Sequence, residues 1–347
     1  MRYKLLGRSG LRVSELALGA LTFGEAWGNG APKPECRKIF DLFLDNGGNF
    51  IDTADKYIDG TSEEFVGEFL AGRRERIVLA TKFSLTMRPD DPNGGGNSRK
   101  TLQQALNASL KRLKTDYIDL YWVHNWDYMT PVDEVLRGLD DAVRAGKVLY
   151  IGISNAPAWV IAQANTMAEL RGWNRFVGMQ IEYSLIERTP EREFLPFARA
   201  TDVAVAAWAP LAGGVLTGKY SGQEDQDKSV TKRLFMNMRF LKDRNLQIAQ
   251  AVRQIAEQAG RRPSQVALNW VRRQKGIVIP IIGARTTGQL QENLGCLDFE
   301  LTPEQMARLD EVSRIPLGYP YEFNGQERIQ RQMHGNMLGR IDNHREF

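Results

Sequence analysis

The stretch FIDTADKYIDG, residues 50–60, opens as an apolar strand and then places Asp52, Asp55, Lys56, Tyr57 and Asp59 within eight residues. A carboxylate and a phenol five positions apart, where a buried strand runs out, exceed what a turn needs. Two further polar groups end the next apolar runs: Lys82 in ATKF and His124 in YWVHNWD. Together they suit proton transfer. A tyrosine ionises near ~10, too high for easy proton exchange at neutral pH. A neighbouring ammonium favours the phenolate, and Lys82 is placed to act that way. Desolvation would strip Lys82 of its proton, and Asp52 as a partner would keep it charged and fixed. His124 can donate a hydrogen bond to a substrate oxygen or relay a proton. A tuned phenol beside an imidazole is a general acid for a carbonyl oxygen. No side chain donates hydride, so a nicotinamide cofactor is implied. A lone strand-end histidine is more commonly structural; the argument rests on the four groups together.

The elements must bring these groups to one place. Short apolar runs recur at 14–21, 49–54, 76–83, 116–124, 148–155, 176–184, 203–211 and 276–284, as expected of strands covered on both faces. Amphipathic segments lie between them. In one, Leu102, Leu106, Leu110 and Leu113 form an apolar stripe at helical spacing. Strand and helix alternating eight times predict a (β/α)8 TIM barrel, whose catalytic groups sit at the C-terminal rim. Residues 3–13, around GRSG, read as an N-terminal β-hairpin closing the barrel floor. Residues 218–240 read as a long polar loop, plausible in length as a lid. Residues 314–347 read as a C-terminal extension without periodicity, holding the unremarkable His334 and His344. The first strand is followed by GALTFGEAWGNG, which lacks the GxGxxG of a doubly wound dinucleotide fold. With no linker, 1–347 is expected to be one domain.

Composition narrows the partners. The 347 residues are 42% hydrophobic and 25% charged, as in ordinary globular proteins. The charge of +4, from 46 basic and 42 acidic residues, is spread rather than striped. Arg73-Arg74 and Arg261-Arg262 are the densest basic spots, so nucleic acid is not an expected partner. Cys36 and Cys296 have no zinc-ligand spacing, and no metal is expected. Two cysteines in a chain this long suit a reducing compartment. The N-terminus has no apolar leader and no run approaches a membrane span, so a cytoplasmic location is expected.

These motifs resemble the aldo-keto reductases. FIDTADKY, ATKF and YWVHNWD match in order, as do GISN (152–155), MQIEYSL (179–185), WAPLAGGVLTGKY (208–220) and IIGARTTGQLQENLG (281–295). The nearest flavour is the aryl-alcohol-dehydrogenase-like and potassium-channel-β-subunit-like branch, some of whose members share a tail similar to LGYPYEF (317–323). The resemblance implies Tyr57 as general acid, Lys82 and Asp52 as its tuning pair, and His124 as ligand of the substrate oxygen. It implies NADPH as cofactor, with Gly19, Ala20 and Leu21 at its rim. Ser154, Asn155 and Gln180 would bind the carboxamide, and Trp208 would stack on the nicotinamide. Pro210, Leu211, Gly213, Leu216 and Lys219 would wrap the pyrophosphate. Gly283, Arg285, Gln289, Glu292 and Asn293 would hold the adenosine end.

The run Gly213–Lys219 fits GxxxxGK, but Tyr220 stands where a P-loop needs Ser or Thr, so a glycine-rich phosphate wrap is the better reading. Arg285, before a helix near Thr287, suits a 2′-phosphate and favours NADPH over NADH. Asn125 stands where many relatives carry Arg, and Leu21 where some carry Trp. Phe23, Trp27, Phe83, Trp126 and Tyr128 either line an apolar pocket for aromatic aldehydes or pack under loops. The expected activity is reduction of aldehydes or ketones, with a little-turnover nucleotide-sensing subunit as the alternative. An unrelated barrel isomerase or lyase would bind no nicotinamide.

Overall fold

The computed structural model describes residues 1–218 and 238–343. Among the described residues there are ten strands. β1 (Tyr3–Leu5) and β2 (Arg12–Ser14) form an antiparallel hairpin, with Lys4 opposite Val13. The other eight are β3 (Ala17–Gly19), β4 (Phe50–Asp52), β5 (Val78–Phe83), β6 (Ile118–Val123), β7 (Val148–Ser154), β8 (Phe176–Glu182), β9 (Ala204–Trp208) and β10 (Val278–Ile282). They pair in sequence order, all parallel, and β10 returns to β3 to close a barrel. Helices fill the intervals, as in Lys33–Asp45, Arg99–Leu113 and Val132–Arg144. The expected (β/α)8 barrel is therefore present. The strands are shorter than the apolar runs by one to five residues, most of which lie in the flanking turns and loops.

Alternation decides what faces inward. Phe50, Val78, Ala80, Leu120, Trp122, Ala206 and Ile279 pack in the barrel interior, while Ile51, Leu79, Tyr121 and Val123 pack outward against the helices. Trp122 sets the packing of neighbouring strands. A Cβ at Gly152 would come within 2.3 Å of its ring, so β7 carries glycine there.

The hairpin plugs the N-terminal end. Leu6 and Val13 join the interior cluster, Lys4 Nζ donates to the Val278 carbonyl at 2.7 Å, and Arg8 N to that of Asp202 at 2.8 Å. The plugged floor leaves the C-terminal mouth for chemistry. The extension differs from expectation. After the helix Pro303–Ser313 it forms short helices at Tyr321–Asn324 and Glu327–His334 and a turn at Gly335–Arg340. Its start is pinned by Arg188, whose guanidinium reaches the Asp310 carbonyl and Ser313 Oγ, and by Arg192 on the Pro316 carbonyl. These cross-chain anchors have no periodic signature. Most of loop 218–240, with Lys219 and the lid reading, and His344 lie outside the described residues. Among the described residues, no helix is long and apolar enough to cross a membrane.

Candidate active site

Parity carries the site forward from the core. Phe50 faces inward, so Asp52, two residues on, does too. Ala80 and Trp122 lead in the same way to Lys82 and His124. Asp52 is opposite Ala80, and Lys82 opposite Trp122, in the strand register. Lys82 is fully buried and Asp52 nearly so.

Lys82 Nζ donates to Asp52 Oδ2 at 2.6 Å, to the Thr53 carbonyl at 2.7 Å and to the Tyr57 hydroxyl at 3.0 Å. An ammonium has three N–H donors, and these are three acceptors. The Tyr57 oxygen thus accepts from Lys82, and its own proton is left for a third group. Gln180 Nε2 closes the far side, donating to Asp52 Oδ1 at 2.9 Å.

Tyr57 reaches this chain through an unusual turn. The turn Tyr57–Gly60 has Ile58 at φ 49° and Asp59 at φ 51°. A β-branched residue there costs on the order of 1–3 kcal/mol, held by its surroundings. Ile58 is buried beneath the turn, and Asp59 is clamped by Lys56 Nζ at 2.6 Å and Trp27 Nε1 at 3.1 Å. The strain turns the phenol back over the barrel.

His124 lies edge-on to Tyr57, ring centres 5.7 Å apart and planes at 81°. Its Nδ1 is buried and meets no hydrogen-bonding group among the described residues. Burial and then the Lys82 charge hold its pKa down to about 3, so it is neutral at ordinary pH. A neutral imidazole can donate a hydrogen bond to a substrate oxygen, the first of the two roles open in the sequence.

Burial alone would lower the Lys82 pKa, but Asp52 and Tyr57 outweigh it and the pKa rises, so the ammonium is kept. Tyr57 departs from expectation. Lys82 pulls the phenol down, yet burial is the larger effect and Asp52 adds to it, so the pKa is raised. Before any substrate arrives, the phenol holds its proton firmly.

The groups that the resemblance gathers around a nicotinamide divide in two. On the barrel rim, Asn155 Nδ2 donates to the His124 carbonyl at 3.0 Å and to Asn125 Oδ1 at 3.3 Å, and Trp208 Nε1 donates to Asn155 Oδ1 at 3.3 Å. Ser154 Oγ is buried with no partner in the chain. Gln180 adjoins Ser154 in register. Gly19 pairs with Asp52, and Ala20 N donates to the Asp52 carbonyl at 2.8 Å, while Leu21 is exposed. An unsatisfied hydroxyl, a fixed indole and nearby amides fit a carboxamide-bearing ring.

Beyond β9, Ala209, Ala212, Gly213, Gly214 and Gly218 all have positive φ. Such backbone concavities present N–H groups to anions, the freedom a phosphate wrap requires. Pro210 and Leu216 are buried and Leu211 partly so, which leaves their backbone to face a ligand. A second cluster follows β10. Thr286 caps the helix Thr287–Leu294, Arg285 N donates to Gln289 Oε1 at 2.9 Å, and Asn293 Nδ2 to the Gly283 carbonyl at 3.3 Å. Arg285 Nε is buried without a partner among the described residues. Glu292 accepts from Ser264 Oγ at 2.5 Å, turned toward the neighbouring helix. Glu35 Oε1 already accepts from Thr287 N at 2.8 Å, which offsets the positive potential expected at this helix start.

Of the aromatics, Phe23, Phe83 and Trp126 are buried, Phe83 stacking on Tyr121 at 5.1 Å. They pack in the core outside the barrel, Phe23 edge-on to Phe69 at 6.2 Å. Trp27 and Tyr128 are exposed. Sequence reasoning assigned no role to Asp55, Glu63 or Arg112, which form a buried group behind Tyr57, nor to Arg239, which pairs with Glu182 at 2.8 Å and lies 5.8 Å from the Trp208 ring. Only the proximity of Asp55 to Tyr57 could have signalled the first.

The sequence profile of the aldo/keto reductase family matches residues 15–314. The aryl-alcohol dehydrogenase [NADP(+)] of Phanerodontia chrysosporium is 36% identical over 91% of this chain and 86% of its own length. Norsolorinic acid reductase stcV of Emericella nidulans is 36% identical over 91% of this chain and 82% of its own. An aryl-alcohol dehydrogenase of Pestalotiopsis microspora is 35% identical over 93% and 85%. Aldo-keto reductases work with nicotinamide cofactors, and with this match and these relatives the chain belongs to the aldo/keto reductase family and is an oxidoreductase.

Proposed function

We propose that this chain reduces aldehydes or ketones to alcohols with NADPH, with Tyr57 as general acid. The observation that carries the reading is the Lys82 ammonium, bound at once to Asp52 and the Tyr57 oxygen. When bound, the nicotinamide supplies the hydride for the carbonyl carbon. The chain does the rest. His124, neutral, donates a hydrogen bond to the carbonyl oxygen and orients it beside Tyr57. As negative charge grows on that oxygen, the Tyr57 proton moves to it. The phenolate left behind is stabilised by Lys82, whose charge Asp52 holds in place. The alcohol leaves with one hydride and one proton gained, and Tyr57 regains its proton from solvent.

Ser154, Asn155 and Gln180 would hold the carboxamide and Trp208 the ring face. The concavity after Trp208 would take the pyrophosphate. Arg285 supports NADPH over NADH, since its Nε lacks a partner among the described residues and a guanidinium pairs well with a 2′-phosphate. The NADP(+) in one relative's name agrees. Aryl-alcohol dehydrogenases among the relatives make aromatic aldehydes the substrates to try first. Cys36 and Cys296 are free and buried, with burial pushing their thiols up to about 11 and about 12, which fits a reducing cytoplasm. Steady-state oxidation of NADPH and NADH is measured against aromatic and aliphatic aldehydes. Turnover of at least one aldehyde with NADPH is expected; no turnover of any aldehyde or ketone would overturn the reading.

A further inference from the structure

Behind the Tyr57 turn, on the outer side of β5, lies a buried polar group that the proposed chemistry does not use. Asp55 is 1% exposed, and its Oδ1 meets no hydrogen-bonding group among the described residues. Its backbone N donates to the Lys82 carbonyl at 3.2 Å, so it is fastened to the strand that carries the active ammonium. Glu63, from the helix Thr61–Phe69, is equally buried but fully engaged. It accepts from Thr81 Oγ1 at 2.5 Å and from Arg112 Nε at 2.7 Å. Arg112 is thereby committed to Glu63, and Asp55 is left without an ion pair of its own. A cavity of about 140 Å³ runs from exposed Arg88 and Gln104, past Leu85, Met87 and Thr101, to Asp55 and Arg112. At ~30 Å³ per water, it has room for a short file of solvent reaching the Asp55 carboxyl. Asp55 is thus buried, yet it lines a cavity whose other walls include the exposed Arg88 and Gln104.

We propose that Asp55 is a positioning residue for the proton transfer: it gains and loses its proton through this side cavity, and its charge state sets how readily the nearby Tyr57 phenol gives up its own. The inference rests on the reading of Tyr57 as the proton-transfer group.

The facing charges fix the sign. Burial and then the Glu63 carboxylate raise the Asp55 pKa to about 8, while Arg112 and Lys82 pull the other way. Tyr121 on β6, whose hydroxyl is also buried without a partner, faces the same group. At neutral pH Asp55 is protonated and adds no charge behind Tyr57. Once it ionises, its carboxylate opposes phenolate formation, as Asp55 does in raising the Tyr57 pKa. Reduction starts from the phenol and is served over the whole neutral range. Alcohol oxidation needs the phenolate and is held back at alkaline pH. Ionised Asp55 thus keeps Tyr57 in its phenol form to higher pH, which moves the pH limbs of both directions upward together.

The test follows the pH dependence of alcohol oxidation with NADP+, from about pH 6 to about pH 10, in the wild type and in Asp55→Asn. Asparagine keeps the shape and removes the ionisation. The rising limb in Asp55→Asn is expected to lie about one pH unit lower than in the wild type. Superimposable limbs would overturn the proposal. A packing role alone would lower activity or Tm without moving the limb. Should Asp55→Asn fail to fold, infrared difference spectra of the wild type decide: a protonated-carboxyl C=O band at neutral pH must vanish as the pH passes about 8. Its absence at neutral pH would also overturn the proposal. Tyr57→Phe run alongside separates the two readings. If it is inactive and the limbs coincide, only the role of Asp55 fails; if it is fully active, the assignment of Tyr57 fails first.

Discussion

Gln180 and Asp52 stand 128 residues apart in the chain, and their side chains meet at 2.9 Å across the barrel mouth. Lys82 takes the other oxygen of Asp52 at 2.6 Å, so the carboxylate is gripped from both sides. A residue expected to touch the nicotinamide therefore also braces the carboxylate that holds the ammonium. If Gln180 seats the cofactor as proposed, seating and phenol tuning share one hydrogen-bonded chain.

Gln180→Leu tests that link. It leaves Asp52 Oδ1 without this donor, which costs about 1–3 kcal/mol for a buried acceptor. The looser ammonium is expected to lower kcat by about tenfold, beyond any rise in KM for the cofactor. Thermal unfolding and steady-state kinetics check both effects; an unchanged kcat with an unchanged Tm would contradict the shared chain.

His124 gives a pH prediction for stability. Its folded pKa of about 3 lies below the unfolded value of 6.5, so the unfolded state binds the extra proton between the two. The stability linked to neutral His124 is present above pH 6.5 and lost as the pH falls toward 3. At pH 5 the loss is about 2 kcal/mol by linkage. Denaturant midpoints from pH 7 to pH 5 should fall in the wild type and fall less in His124→Gln. Parallel curves would show that the imidazole is not buried in its neutral form.

Arg285 tests the dinucleotide assignment. Arg285→Ala is expected to raise KM for NADPH by about tenfold while leaving KM for NADH nearly unchanged, because only the former carries a 2′-phosphate. Equal losses for both dinucleotides would place Arg285 elsewhere in the site.

The barrel and the convergence of its rim residues were legible because parity is a sequence property. Phe50 to Asp52, Ala80 to Lys82 and Trp122 to His124 are each two residues apart at a strand end, so an inward core predicts an inward rim. Other features depend on tertiary placement. Nothing at Gln180 signals Asp52. The raised Tyr57 pKa depends on burial, which the spacing of Tyr57 and Lys82 does not encode. Phe23, Phe83 and Trp126 sit near the mouth in sequence, but packing takes them into the core outside the barrel. The Asp55, Glu63 and Arg112 group joins a turn and two helices and has no local motif.

The most direct test of the central claim is single-turnover reduction of an aromatic aldehyde by Tyr57→Phe preloaded with NADPH, with binding followed by tryptophan fluorescence. The account predicts near-normal NADPH binding and a hydride-transfer rate reduced by at least ~10²-fold, as expected on removing a general acid. A rate equal to that of the wild type would contradict it.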